Sequence, residues 1–474
     1  MAEIIKPQEV VTLSWGLFLA LALSAVLIAA GFPVGPIFLI GLAAVMIFAF
    51  RYIYLTFFIA VAFMPFLGIT VSVPTGAINI GQRAFGGSID VSLGEVFLFV
   101  VLGAWALKLI MLWRRRGDEN WRPRFPLIRS YLCLFAAHLI SAFSPLVPDP
   151  VLVVKYSLRP VFYSYLAFIA LPVNLIRSRR RLITVLSVFI GVGILAALNG
   201  LVSIFFPIDG SNLVGRAHPY PIFGINALGE NHNSLAELLV VTTPLTLALI
   251  GLVRHERTKR LLYMATSLQF VIGLLTFTRT GWIVFALQIT CLLATVWRRT
   301  ATKYISKILI ASIFLAPLAV TMLAYSVSQT AQSSNSTRLA LTQIAMQIFY
   351  TSPWVGGGAG TFVDRVGSTS VFLLEYGDPL DSHGFLQKLA AETGLVGLLG
   401  YAIVIAASLV VFWRGYKLIK SPVSKNILVF VVLAFLGSVV YQLFNTSYWT
   451  GRLWLPLGLL IATIEVFRRE ERKQ

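Results

Sequence analysis

The chain has 474 residues, 58% of them hydrophobic and 12% charged, with a mean hydropathy of +0.84. A water-soluble fold cannot bury that much apolar surface, so composition excludes a soluble globular domain and implies a polytopic membrane protein. The net charge of +19 does not imply nucleic acid, because Lys and Arg fall in short clusters between apolar runs; anionic lipid headgroups are the expected partners.

A hydrocarbon layer of about 30 Å takes about 20 apolar helical residues. By that ruler spans are expected near 11–31, 34–50, 52–69, 93–113, 126–145, 157–175 and 182–205, then near 232–253, 261–277, 280–297, 308–326, 384–413, 426–444 and 452–467. The first is expected to be a retained span and not a cleaved leader, since its apolar run is long and a second span follows at once. The predicted fold class is an all-α polytopic membrane protein with about 14 (12 to 14) transmembrane helices. Cys133 and Cys291 lie inside apolar segments, which leaves neither a disulfide framework nor a zinc ligand set.

Lys and Arg concentrate in cytoplasmic loops. The clusters Arg114 to Arg124, Arg177 to Arg181, Arg254 to Arg260, Arg298 to Lys307, Arg414 to Lys425 and Arg468 to Lys473 all fall on one side under the longer count, which puts both termini in the cytoplasm. Arg83, Lys155, Arg159, Arg216, Arg279, Arg338, Arg365, Lys388 and Arg452 are left on the outer side, and retention inside does not explain them. The organisation expected is an N-terminal transmembrane bundle over 1–205, a functional region over 206–413, and C-terminal helices with a cytoplasmic tail over 414–474.

The outer face also carries the longest polar interruption, residues 327–383. Within it Leu341, Ile344, Ala345 and Ile348 recur at helical spacing opposite Thr342, Gln343 and Gln347, the pattern of an amphipathic helix on the membrane or over the spans. Ser352, Pro353 and the glycines of GGGAG then impose a turn; the Lys-Ser or Lys-Thr pair of a phosphate-binding P-loop is missing.

Next comes DSHGFLQKLAAETGLVGLLGY. Asp381 and Ser382 are good N-cap residues, which puts His383 in the first helical turn, where the helix dipole disfavours imidazolium. A neutral imidazole with a pKa near 6.5 accepts a proton at neutral pH. From His383 to Trp413 the helix is expected to run about 45 Å, about 15 Å beyond the hydrocarbon layer, with His383, Gln387 and Lys388 above the membrane. On position alone, a histidine there serves equally as a cap or an interfacial residue.

The outward arginines add weight. Arg279 interrupts FTRTGW in a tight turn, Arg338 begins the amphipathic helix, and Arg216 sits in VGRAHPYP. Guanidinium forks match phosphate oxygens in bidentate fashion, so their convergence suits a membrane-anchored phosphate or pyrophosphate. Singly, each can snorkel or pair with an acid, as Arg365 can with Asp364. His232, Asn233 and Glu237 line the first turns of one span as substrate contacts or polar caps, and a carboxylate as deep as Glu237 needs a partner.

The end of the large loop resembles the O-antigen ligase and polymerase superfamily. That family's pattern is a histidine, usually followed by Asn, Ser or Gln, then nine residues and a Gly-x-x-Gly-like element; here Phe385 to Thr393 separate His383-Gly384 from Gly394, Leu395, Val396 and Gly397. Gly384 departs from the usual polar residue. FTRTGW, STRLAL and SPWVGGGAGTF are similar to further family segments, and the resemblance covers roughly 200–410. It implies an inverting glycosyltransferase that needs no metal or other cofactor, at the outer face of the bacterial inner membrane. The donor would be an undecaprenyl-pyrophosphate-linked glycan and the acceptor a lipid or glycan hydroxyl. Arg279 and Arg338, with Arg216, would hold the pyrophosphate, and His383 would be the base. His232, Asn233, Glu237, Gln387 and Lys388 are candidate substrate contacts. Within the superfamily a ligase moves finished glycan to a lipid A core, a polymerase joins repeats, and related enzymes glycosylate proteins; ligase is the expectation. Trp354, Phe362 and Tyr376 are candidate sugar-stacking rings. A transporter or lipid flippase is the rival class, but transporters place charges near the midplane.

Overall fold

The computed structural model describes residues 35–74, 78–80, 83–85, 88–114, 123–206, 216–222, 224–229, 231–304, 306–307, 329–377, 379–446 and 453–472. The spans expected at 11–31 and 308–326 lie outside the described residues. The described residues are mostly helical and divide into two compact units, Met1–Pro123 and Arg124–Gln474.

In the first unit, α1 (Gly35–Arg51) and α2 (Ile53–Phe63) meet at Tyr52. The sequence predicts a span from each; residues 43–51 of α1 are bent by 111° from α2 at this junction, and by length and composition the two pass together as one broken span or a re-entrant loop. Between the runs expected as spans at 52–69 and 93–113, the described residues form two antiparallel pairs, β1 (Thr70–Pro74) with β4 (Ser88–Ser92) and β2 (Ile78–Ile80) with β3 (Arg83–Phe85); Thr70 pairs with Ser92. Ser92 then starts α3 (Leu93–Arg114): its hydroxyl accepts from the Glu95 N–H while the Glu95 carboxylate accepts from the Ser92 N–H at 3.0 Å. This is the reciprocal capping box that S-L-G-E encodes.

The second unit holds α4 (Ile128–Ile140), α5 (Pro150–Leu175), α6 (Arg179–Phe205), α7 (His232–Leu252), α8 (Glu256–Leu275), α9 (Arg279–Ala294) and α10 (Arg298–Lys303). These are followed by α11 (Gln329–Thr351), α12 (Phe362–Gly367), α13 (Ser370–Tyr376), α14 (Phe385–Leu418), α15 (Pro422–Gln442) and α16 (Trp454–Glu471). Among the described residues six helices are long and apolar enough to cross a membrane (α3, α5, α6, α7, α14 and α15), or seven with the bent pair. Several expected spans fall short of that standard for readable reasons: α9 is 16 residues long, α8 opens on Glu-Arg-Thr-Lys-Arg, and α16 closes on Arg-Arg-Glu-Glu.

Two prolines interrupt these helices, and each is accommodated in its own way. Pro160 cannot donate a helical hydrogen bond, and α5 widens there into five-residue turns over Leu158–Tyr163 and Leu166–Ala170. Pro244 in α7 likewise leaves the Val240 carbonyl without its helical donor. The Gln288 amide of α9 fills the gap, donating to Val240 at 2.8 Å and to the Leu433 carbonyl of α15 at 3.2 Å. Gly437 makes room, since a Cβ there would lie 2.4 Å from that amide.

Helix α11 packs against α12, α13 and the first part of α14. Leu341, Ile344 and Ala345 are buried against Phe362, Val366, Phe372 and Ala391, so the apolar stripe read from the sequence serves a protein core. Phe362 is therefore closed to a sugar, whereas Trp354 is 67% exposed and Tyr376 packs on Phe372.

Candidate active site

His383 owes its position to a break in α14. The helix expected to run straight for about 45 Å is interrupted at Gly394, whose φ of 63° and ψ of −158° are open only to glycine. The break exchanges hydrogen bonds with the Pro353–Gly358 turn. Leu395 and Val396 donate to the Pro353 and Trp354 carbonyls at 2.8 and 3.2 Å, and Gly357 and Gly358 donate to the Ala391 and Glu392 carbonyls at 2.7 and 2.9 Å. Two of the N–H groups and two of the carbonyls that the break would orphan are thereby satisfied. Glycine is required on both sides of the junction, because a Cβ on Gly356 would lie 2.4 Å from Glu392 backbone and one on Gly394 2.5 Å from Trp354 backbone.

The bend is sharp. Phe385 and Tyr401 have ring centroids 4.7 Å apart, whereas an unbroken helix would hold those residues about 24 Å apart. The nine residues from Phe385 to Thr393 thus fold back along the rest of α14 instead of standing above it. Residues 395–418 alone measure about 36 Å, enough to cross the hydrocarbon layer.

The cap also differs from expectation. Gly384 is the N-cap, with no side-chain cap, and His383 precedes the helix. The Ser382 hydroxyl accepts from the Gly384 N–H at 3.2 Å and donates to the Gly384 carbonyl at 3.0 Å, bridging the residues on either side of His383. Thr446 donates to the Ser382 carbonyl. A Cβ on Gly384 would meet the Gln387 amide oxygen at 2.6 Å, so Gln387 occupies the space the family's polar residue would take. Half-buried His383 has its imidazole held below the ordinary value by burial and by Arg338, with Asp381 acting in the opposite direction.

Arg338, in α11, links the cationic groups. Burial and then Arg279 depress its guanidinium, with Tyr441 acting in the opposite direction, and its Nε is buried without a partner. Arg279 is the first residue of α9, after a turn in which Phe277 has a φ of 52°, and it donates to Asn335 of α11 at 2.8 Å. Among the described residues neither guanidinium has a carboxylate partner. Arg216 donates to the Thr276 carbonyl at 3.0 Å, and Ala217 to Leu275, fixing that loop to the end of α8. His232, the first residue of α7, feels Arg216, His218 and Arg338 together. The arrangement therefore gathers Arg216, His218, His232, Arg279, Arg338 and His383 from five separate segments. It can bind an anion and accept a proton beside it.

The other candidates have internal partners. Asn233 receives a hydrogen bond from Thr278 at 3.3 Å, and its carbonyl receives one from Tyr441 at 2.7 Å. Glu237 has the partner its depth demands, the Gln442 amide at 2.7 Å. Lys388 is buried against Asp381 and Glu392. Arg365 bonds the Leu146 carbonyl, and Arg452 lies outside the described residues. Among the described residues no three His, Cys, Asp or Glu side chains gather as a metal site.

Sequence reasoning passed over His218, Asn335 and Tyr441. The chain has five histidines, so one placed two residues from Arg216 was a usable signal. Asn335 and Tyr441 carried none, because they reach the site from elements remote in sequence. No curated protein matches the chain. Residues 262–402 match the family described as O-Antigen ligase, so the resemblance read from the motifs is matched by the family itself over the stretch that holds Arg279, Arg338 and His383.

Proposed function

We propose that the protein is an inverting glycosyltransferase of O-antigen ligase type. It moves a glycan from undecaprenyl pyrophosphate to a hydroxyl of a lipid A core, at the outer face of the bacterial inner membrane. The acceptor oxygen attacks the anomeric carbon opposite the pyrophosphate, and His383 takes the hydroxyl proton. The anomeric carbon–oxygen bond breaks with its electron pair going to the pyrophosphate, whose developing charge Arg279, Arg338 and Arg216 stabilise. The observation that carries the reading is Arg338, lying beside both His383 and Arg279 with no carboxylate among the described residues to neutralise either guanidinium.

The test is His383→Ala in cells, with surface glycan and the membrane carrier pool analysed together. Transfer is expected to fall by about 10² to 10⁴, with long polymer accumulating on the carrier. Single repeats on the carrier would instead indicate a polymerase. Unchanged transfer by a well-expressed variant refutes the base, and substrate movement across vesicles without a new glycosidic bond refutes the glycosyltransferase.

A further inference from the structure

The sequence offers Lys388 as a substrate contact, but its surroundings describe another role. Its side chain is 5% exposed, with Nζ 2.8 Å from Asp381 and 3.9 Å from Glu392 and facing the Tyr156 ring at 5.9 Å. Two carboxylates and an aromatic face surround one ammonium. A buried ammonium without them would be strongly disfavoured.

Each partner leads elsewhere in the site. The other carboxylate oxygen of Asp381 accepts the Ser382 N–H at 2.8 Å, and Ser382 closes the turn around His383. Glu392 accepts the Phe362 N–H at 3.2 Å, tying in the outer loop just past the glycine turn. Tyr156 is the surface on which Gly360 lies, since a Cβ there would meet its ring at 2.4 Å. Lys388 is thus joined to the His383 turn, to the loop that plugs the helix break, and to α5.

We propose that Lys388 is a positioning residue: with Asp381 it holds the turn that presents His383, and it does not touch the substrate. The assignment rests on the reading of His383 as the base, but its geometric half can be tested without turnover. Asp381 also sets the charge His383 feels. Among the described residues the charged groups around His383 are Asp381 on its own turn and Arg338 from α11, with Arg279 behind Arg338. Removing the carboxylate leaves the guanidiniums unopposed, so His383 should lose its proton at lower pH.

The experiment uses the full-length purified protein and reads His383 by carbethoxylation across pH, scored on its own peptide by mass spectrometry. Transfer from lipid-linked donor is measured in parallel for wild type, Asp381→Asn, Lys388→Arg and Lys388→Met. Asp381→Asn should move the His383 modification midpoint to lower pH. Lys388→Met should lower kcat by about 10- to 100-fold with little change in donor KM, the pattern of a displaced catalytic group; Lys388→Arg should recover part of it. A raised donor KM at unchanged kcat in Lys388→Met would make Lys388 a substrate contact and overturn the proposal, as would an unmoved His383 midpoint in Asp381→Asn. Should Lys388→Met not fold, Asp381→Asn decides alone. If the midpoint moves as expected while His383→Ala still transfers glycan, the base assignment fails and the positioning geometry stands.

Discussion

Replacing Gly394 by alanine tests the helix break directly. The native φ and ψ lie where an L residue costs about 1 to 3 kcal/mol, and the new Cβ would stand 2.5 Å from the Trp354 carbonyl and 2.7 Å from that of Pro353. Both are backbone atoms with no rotamer to change, so the turn must retreat. Its retreat loosens the Leu395–Pro353 and Val396–Trp354 hydrogen bonds, each contributing about 0.5 to 1.5 kcal/mol. Together these give a destabilisation of about 2 to 6 kcal/mol. Detergent-solubilised Gly394→Ala should melt well below wild type, and transfer should fall further than the folded fraction does, because the break sets where His383 lies. Gly191→Ala is the control: a Cβ there meets nothing within 4 Å, and on α6 it should be neutral or slightly stabilising. If Gly394→Ala melted and transferred like Gly191→Ala, a straight α14 would be energetically acceptable and the account of the site would be wrong.

Arg338→Met removes a positive charge that keeps His383 deprotonated, so the acid limb of kcat/KM should move to higher pH while the maximal rate drops; a limb that stays or moves to lower pH refutes the coupling. In wild type the depressed imidazole implies a neutral base to below about pH 6.5, so transfer should persist under mildly acidic conditions. Gln288→Leu leaves the Val240 carbonyl, already deprived by Pro244, without a donor inside the bundle. Its cost should be about 1 to 3 kcal/mol, measured as lost thermal stability in detergent, and Gln288→Leu combined with Pro244→Ala should recover much of it. Failure of that second change to restore stability would show that the amide is not compensating for the proline.

Much of the fold was legible because apolar run length is a local property. The helices at 179–205, 232–252 and 422–442 follow the hydropathy closely, and the tight turn before Arg279 is where FTRTGW places it. The break in α14 was not legible: GLVGLLG reads as good membrane helix, and only the glycine turn some forty residues earlier, a tertiary partner that local propensity does not sense, makes an interruption favourable. The bend between the helices at 35–51 and 53–63 was hidden for the same kind of reason, since two apolar runs say nothing about the angle between them. In the candidate site, the types of residue were singled out by charge and by their place between apolar runs, but their grouping was not legible. That Glu237 needed a partner followed from its depth; that the partner would be Gln442 depended on how α7 and α15 pack.

The hydrogen bonds woven between the Pro353–Gly358 turn and the interrupted helix also limit how the protein can be re-engineered. A chimera that exchanges the outer loop at its apparent edges, 327 and 383, would separate strands of one seam, leaving Gly357 and Gly358 facing foreign carbonyls and Leu395 and Val396 without acceptors. A transplant that carries the host of that seam, through Val396, moves the loop, the histidine turn and the bend as one cassette. Exchanges of this region between relatives should therefore succeed or fail by whether the cut lies beyond Val396.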